Sequence, residues 1–200
     1  MGIENAKTGH LIYHLTKVDN FDSIVRNGLL PRREIMNRRL SFDNIANMEI
    51  INKRSRLGLD MYTPFHFHPY SAFDVVVKST YGAHRMMYMC IDRAIARSNG
   101  LKILPKHPLS DEECVLYDYD EGFNLIDWDT LQKKNLYTDY AKEVKMAECL
   151  TDKILPIDFF SQLYVPSEEI KAEINDVLEK QNIADYIRPN INVLPIWFNY

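Results

Sequence analysis

Glycine is scarce, with only seven in 200 residues. None falls in a GxGxxG or GxxxxGK pattern, so no loop is available to cradle phosphates with backbone amides, and nucleotide hydrolysis of the P-loop kind is excluded. Cysteine is sparser still. Cys90, Cys114 and Cys149 stand far apart with no CxxC or Cys-His spacing, which leaves no readable disulfide framework or structural zinc site and fits a reducing, cytoplasmic compartment. No stretch of about 18 uncharged apolar residues occurs, and the opening MGIENAKTGH has no hydrophobic signal core, so neither membrane insertion nor secretion is expected. A basic excess is also missing: 24 Lys plus Arg stand against 28 Asp plus Glu, a net charge of −4. That balance argues against indiscriminate binding of nucleic acid.

What is present is enough apolar material, 46% of residues, for a proper core. With no repeat and no Gly/Ser linker, residues 1–200 read as a single domain. Charge is segregated along the chain. Between Arg26 and Arg56, eight basic residues face three acidic ones, a local excess of five suited to a polyanion. Between Pro108 and Asp129 every charged residue is acidic, which reads as a solvated loop and helix start.

The apolar run Leu11 to Thr16 predicts a strand, followed by helix-capping residues Asp19 and Asn20 and a helix closed by Gly28. A helical pattern spans Ser41 to Arg56. Tyr62 to His68 alternates as a strand, with Phe65 and Phe67 on one face and His66 and His68 on the other. Short strands are expected at Met86 to Ile91, Leu101 to Leu104, Gln162 to Val165 and Ile191 to Ile196. Helices are expected at Ser71 to Lys78, Leu125 to Leu131, Tyr140 to Cys149 and, capped by Ser167, through about Glu179. Short strands without regular βαβ alternation favour an α+β fold.

Taken singly, the polar residues say little. His14 lies in an apolar strand, where a histidine is more often a hydrogen-bonded core or surface residue than a functional one. The i, i+2 pair His66 and His68 has metal-binding spacing but no third ligand nearby in sequence, and no metal site is assigned. Glu148, in the apolar Met146-Ala-Glu-Cys-Leu150, reads first as a helix-surface residue. If buried it must be paired, because a lone buried carboxylate costs several kcal/mol. Arg54 and Arg56 read as surface cations.

Their order in the chain is more specific. Ile12-Tyr-His-Leu-Thr16 is followed by Asp19-Asn20 and by Ile24 through Gly28-Leu29. Then come Lys53-Arg54-Ser55-Arg56, the block TPFHFHPYSAF (residues 63–73), Ile126-Asp-Trp-Asp-Thr-Leu-Gln132, Met146-Ala-Glu-Cys-Leu150 and Leu163-Tyr-Val165. Together these resemble the DarT family of toxins, described as transferring ADP-ribose from NAD+ onto a base in single-stranded DNA, and the likeness runs from about residue 11 to residue 200. The resemblance implies an ADP-ribosyltransferase-like split β-sheet core with peripheral helices, Glu148 as the catalytic glutamate, and Arg54 as a catalytic arginine that also contacts NAD+. It places Tyr13, His14, Leu15, Thr16, Asp22 and Leu30 around the dinucleotide. Arg56 and the aromatic residues Tyr62, Phe65, Phe67 and Tyr70 are then candidates for holding the nucleic acid, by phosphate pairing and base stacking. Single-stranded DNA and a macrodomain antitoxin are the implied partners, and no membrane is.

This chain also departs from the family pattern. Only Leu57-Gly-Leu-Asp60 precedes the aromatic block, where relatives carry a glycine-rich stretch. His66 replaces an aromatic residue, and Ala72-Phe73 replaces Pro-Met. The choice of base, thymine being the commoner family target and guanine another, is expected to be made in this block. Two other readings stay open on the sequence: the same NAD chemistry directed to RNA or protein, and a silent nucleic-acid-binding module.

Overall fold

In a computed structural model, which describes residues 3–46, 48–69, 71–107 and 114–199, the chain builds one seven-stranded sheet flanked by helices. In chain order its elements are β1 (Leu11–Lys17), α1 (Phe21–Asn27), α2 (Arg32–Asn37), α3 (Met48–Arg56), β2 (Thr63–His66), α4 (Ala72–Tyr81), β3 (Met86–Asp92), α5 (Arg93–Ser98) and β4 (Lys102–Leu104). They continue with α6 (Tyr119–Leu125), α7 (Trp128–Gln132), α8 (Asp139–Lys145), β5 (Glu148–Thr151), β6 (Gln162–Val165), α9 (Glu168–Lys180) and β7 (Asn190–Val193). Across the sheet the order is β4-β5-β2-β1-β3-β6-β7. Neighbours are antiparallel except β6 and β7, which run parallel and are bridged by α9.

The split expected of this core lies between β1 and β2. β1 pairs with β3 along its whole length, from Leu11↔Asp92 to Lys17↔Met86, yet meets β2 only at Tyr13↔His66. Beyond that pair the seam is bridged by a side chain: His14 Nδ1 lies 2.8 Å from the Pro64 carbonyl oxygen.

Side chains alternate between the sheet's two faces. Ile12, Phe65, Met87, Met89, Ile91 and Cys149 meet the buried residues of α1, α6, α7 and α9 in the main core. On the opposite face Tyr13, Leu15, Tyr88 and Cys90 pack against Trp197 and Phe198, and Leu104 and Leu150 pack against Leu59. Glu148 and His66 belong to this second face, being register partners of Leu104 and Tyr13.

Several sequence expectations are corrected. The helix expected over Ser41 to Arg56 begins only at Met48, and residues 41–45 have no regular structure. Asn20 does not cap α1 through its side chain. Its amide donates to the Asp43 carbonyl at 3.0 Å and its carbonyl accepts from the Asp43 amide at 2.7 Å, clipping that irregular segment to the end of β1. The predicted helix Tyr140 to Cys149 stops at Lys145, and residues from Glu148 onward pair between β2 and β4 as a central strand. The last strand ends at Val193, before a short turn at Pro195–Trp197. Ser167 caps α9 as expected, its hydroxyl accepting from the Ile170 amide.

Lys78 of α4 is buried on the second face. It donates to Tyr88 Oη at 2.9 Å, to the Trp197 carbonyl at 2.8 Å and to the Pro69 carbonyl at 3.4 Å. It thereby ties the chain leaving β2 to α4, β3 and the segment after β7. Burial pushes its pKa down to about 8, with Asp74 opposing, so the folded state disfavours the charged form. The resulting stability cost is fully present below about pH 8 and is relieved as pH rises toward the ordinary value of 10.5. Thermal unfolding of wild type should therefore gain stability relative to Lys78→Met as pH rises from 8 to 10.5; parallel curves would contradict this.

Candidate active site

The chain reverses tightly after α3. Gly58 adopts φ of 71°, a left-handed conformation that glycine enters without the Cβ penalty. Leu59 then drops into the small apolar cluster with Leu104 and Leu150. Arg33 of α2 fixes this turn by donating to both oxygens of Asp60, at 3.1 and 2.9 Å. The last turn of α3 is thus held over the β4–β5 end of the sheet, and Arg54 reaches β5.

There it meets Glu148. Arg54 Nη1 donates to both carboxylate oxygens, at 2.8 and 2.9 Å, and Nη2 donates to the Leu59 carbonyl at 3.4 Å. The side chains are 15% and 3% exposed. The expectation of a helix-surface glutamate is overturned, because β5 is an inner strand and its middle face is covered. Burial alone would raise the carboxyl pKa, but the Arg54 charge, helped by His107 and His66, outweighs it and lowers the net value. Glu148 is therefore held ionised and nearly dry, where a fixed charge acts most strongly on charge developing nearby.

Two histidines, His66 and His107, lie close to the pair, whereas His14, in β1, and His68, just past β2, lie further along. His66 is the register partner of Glu148 and lies on the same face. His107, which follows β4, is buried and interacts electrostatically with Glu148, Arg54 and His66, and burial lowers its pKa. His14 is lowered to about 4 by burial, against the pull of the Pro64 carbonyl. It is neutral at pH 7, and since a carbonyl only accepts, its Nδ1 must donate to Pro64, which leaves Nε2 as an acceptor. His68 is lowered to about 3, chiefly by burial. Despite these imidazoles, the described residues contain no group of three side chains arranged to hold a metal.

The remaining expected site residues are placed less simply. Tyr13 is buried edge-on against Tyr88 and Trp197, Leu15 and Leu30 are core residues, and Thr16 accepts from Asn20 at 3.2 Å. Leu15 and Leu30 are left with backbone contacts to offer a ligand, while the Thr16 hydroxyl keeps its own hydrogen to donate. Asp22 is engaged by Arg26 and by Gln181. Phe65 and Phe67, expected to stack on a base, are 0% and 1% exposed. Phe65 packs on His14 and Phe67 on Phe123 and Trp128, so neither offers a free face. Tyr62 is half-buried over the Leu59 cluster, Arg56 is exposed at the end of α3, and Tyr70 lies outside the described residues. Four of the eight basic residues of the stretch, Arg26, Arg33, Arg38 and Arg54, each pair with a carboxylate. His107 went unnoticed in the sequence, because a lone histidine after a short strand carries no spacing signal.

A charged glutamate on an inner strand, an arginine brought to it from a helix, and a histidine at the seam of a split antiparallel sheet are the features that the resemblance to ADP-ribosyltransferases implies. Comparison with known proteins narrows this. The family model described as "ssDNA thymidine ADP-ribosyltransferase, DarT" matches residues 13–199, and the chain belongs to that family. A Thermus aquaticus "DNA ADP-ribosyl transferase" is 24% identical, covering 94% of this chain and 88% of its own length. A Thermosipho africanus "DNA ADP-ribosyl transferase-DNA ADP-ribosyl glycohydrolase fusion protein" is 22% identical over 92% of this chain and half of its own length. Among solved structures, "Thermus sp. 2.9 DarT in complex with ADP-ribosylated ssDNA" superposes with a TM-score of 0.81 at 21% identity, over 95% of this chain and 96% of that one. "Thermus sp. 2.9 DarT in complex with NAD+" superposes with a TM-score of 0.77 at 20% identity, over 95% and 98%.

Removing one member of a buried pair strands the other's charge. Arg54→Met is expected to destabilise the fold by about 3–5 kcal/mol, and the double variant Arg54→Met/Glu148→Gln by clearly less than the sum of the singles. Additive denaturation free energies would show that the pair is not coupled.

Proposed function

We propose that this protein is an NAD-dependent ADP-ribosyltransferase that modifies a base of single-stranded DNA, thymine in the first instance. The observation that carries this reading is the buried, ionised Glu148 held by Arg54, within a family defined by that activity. NAD+ supplies an ADP-ribosyl group whose bond to nicotinamide breaks with positive charge developing on the ribose carbon. Glu148 stabilises that charge and accepts a hydrogen bond from a ribose hydroxyl, for which its oxygens retain lone pairs. His14 Nε2 offers an acceptor at the sheet's split, and the backbone of Tyr13, Leu15 and Thr16 offers further contacts to the dinucleotide. Arg54 orients Glu148 and contacts NAD+. Its guanidinium, with an ordinary pKa above about 12, acts as a positive electrostatic element. Arg56, exposed beside the site, pairs with phosphate. A base cannot be attacked within a duplex, which fits single-stranded substrate.

The relatives solved with NAD+ and with ADP-ribosylated single-stranded DNA support this donor and acceptor. The fusion relative joins a transferase to a glycohydrolase. It supports a role as a toxin whose partner, a macrodomain antitoxin, removes the mark. No described helix is long and apolar enough to cross a membrane, and a cytoplasmic enzyme acting on DNA is consistent with that.

Incubation with NAD+ and four sets of oligonucleotides, each lacking one base, followed by mass spectrometry, tests the reading. Adducts should appear in every set except the one lacking thymine. Free ADP-ribose without any DNA adduct would redirect the chemistry to water, RNA or protein. Glu148→Gln and Arg54→Ala should each lose transfer by at least about a hundredfold. Arg56→Ala should instead weaken DNA binding and lower its dependence on salt. The opposite ranking of the two arginines would overturn their assignment.

A further inference from the structure

We propose that Arg32 is a binding residue for the donor and pairs with the pyrophosphate of NAD+. The assignment rests on the donor reading above and extends it to a residue outside the motifs that carry the family resemblance. A dinucleotide brings two negative charges on its pyrophosphate. Those charges are bound best by a guanidinium that is already in place when they arrive. Arg54 contacts NAD+ while also sharing its charge with Glu148 at 2.8 Å, so a second cation is called for on the same side of the sheet.

Arg32 opens α2. Unlike Arg26, Arg33, Arg38 and Arg54, it is half-buried without a salt bridge, and among the described residues its side chain makes no hydrogen bond. Burial lowers its pKa, opposed only by the charge of Asp60, a carboxylate that Arg33 already holds through both oxygens. The side chain is nevertheless fixed. Its guanidinium lies over the ring of Phe42, 5.5 Å from the centroid. A ring contact of this kind occupies the face of the guanidinium and leaves its in-plane N–H groups for an oxyanion. A partly desolvated cation with no counter-charge is costly in the empty protein, and a bound anion removes that cost.

The surroundings point to the dinucleotide. Phe42 belongs to the irregular segment that Asn20 clips to the end of β1 through Asp43, and Lys17 reaches the same aspartate at 3.7 Å. Further along this segment, Ile45 packs on the cluster of Tyr13, Leu15 and Tyr88. The segment therefore lies over the second face of the sheet, to which Glu148 also belongs. Arg33, next in the chain, clasps the turn that carries Arg54 to β5. Arg32 thus stands between the end of β1, whose backbone is offered to the dinucleotide, and the turn that positions the catalytic pair. A DNA phosphate needs no such half-buried seat, and Arg56 offers it an exposed cation.

Calorimetric titration with ADP-ribose, which keeps the pyrophosphate and lacks the bond that breaks, tests the site in wild type, Arg32→Ala, Arg32→Lys, Phe42→Leu and the double variant Arg32→Ala/Phe42→Leu. Binding of a single-stranded oligonucleotide is measured in parallel, and thermal midpoints matching wild type confirm that each variant is folded. In Arg32→Ala the Kd for ADP-ribose should rise about 10–100-fold, with a weaker dependence on salt, while oligonucleotide affinity stays within about threefold of wild type. Arg32→Lys should recover part of the loss, because it keeps the charge and loses the planar fork. Phe42→Leu should weaken ADP-ribose binding by itself and add little in the double variant, since the ring acts through the guanidinium. An ADP-ribose Kd within about threefold of wild type in Arg32→Ala would overturn the proposal. So would a loss of oligonucleotide affinity with ADP-ribose binding intact, which would place Arg32 on the acceptor's phosphates, or full additivity of the Arg32 and Phe42 changes. Failure of wild type to bind either NAD+ or ADP-ribose would instead fail the donor reading itself, and this site with it.

Discussion

The buried ion pair between Arg54 and Glu148 is the constraint around which the rest of this half of the molecule is arranged. A carboxylate with 3% exposure cannot be accommodated without a counter-charge, and the counter-charge has to come from a helix that the sheet does not itself position. The tight turn at Gly58, the apolar seat of Leu59 and the Arg33–Asp60 clasp all serve to bring the end of α3 to β5. Remove the turn, and Glu148 is left charged and unpaired in a dry strand. The same arrangement holds the carboxyl pKa below its ordinary value, so the feature that constrains stability is also the one on which the proposed chemistry rests.

Much of the scaffold could be read along the chain. The strand at Leu11 to Lys17, the strand at Met86 to Asp92 and the Ser167-capped helix are set by local hydrophobic period and capping chemistry, and the structure has them where those signals put them. β5 was hidden for a physical reason. The segment Tyr140 to Cys149 carries helix-forming residues with apolar spacing, and only pairing to β2 and β4 on both sides turns its last residues into strand. Local preference lost to long-range pairing.

The site was legible in identity more than in environment. Glu148 and Arg54 stand out by their order in the chain, but their contact spans 94 residues and no pattern in the sequence encodes it. Phe65 and Phe67 illustrate the converse. An alternating aromatic strand looks like a stacking platform, yet both rings are taken up by the core, because β2 lies between two other strands and its face toward the helices is covered. The local excess of positive charge likewise shrinks once its arginines find carboxylates that are distant in sequence, such as Asp60 and Glu148.

The single-pair contact between β1 and β2 bears on the order in which the molecule is completed. β1 and β3 form an extended ladder within the first half of the chain, whereas β2 obtains its other neighbour only from residues 148–151. Pairings between segments so far apart carry the largest loop-closure cost and form slowly. A chain emerging from the ribosome therefore displays Arg54 and His66 well before the carboxylate they surround has been made.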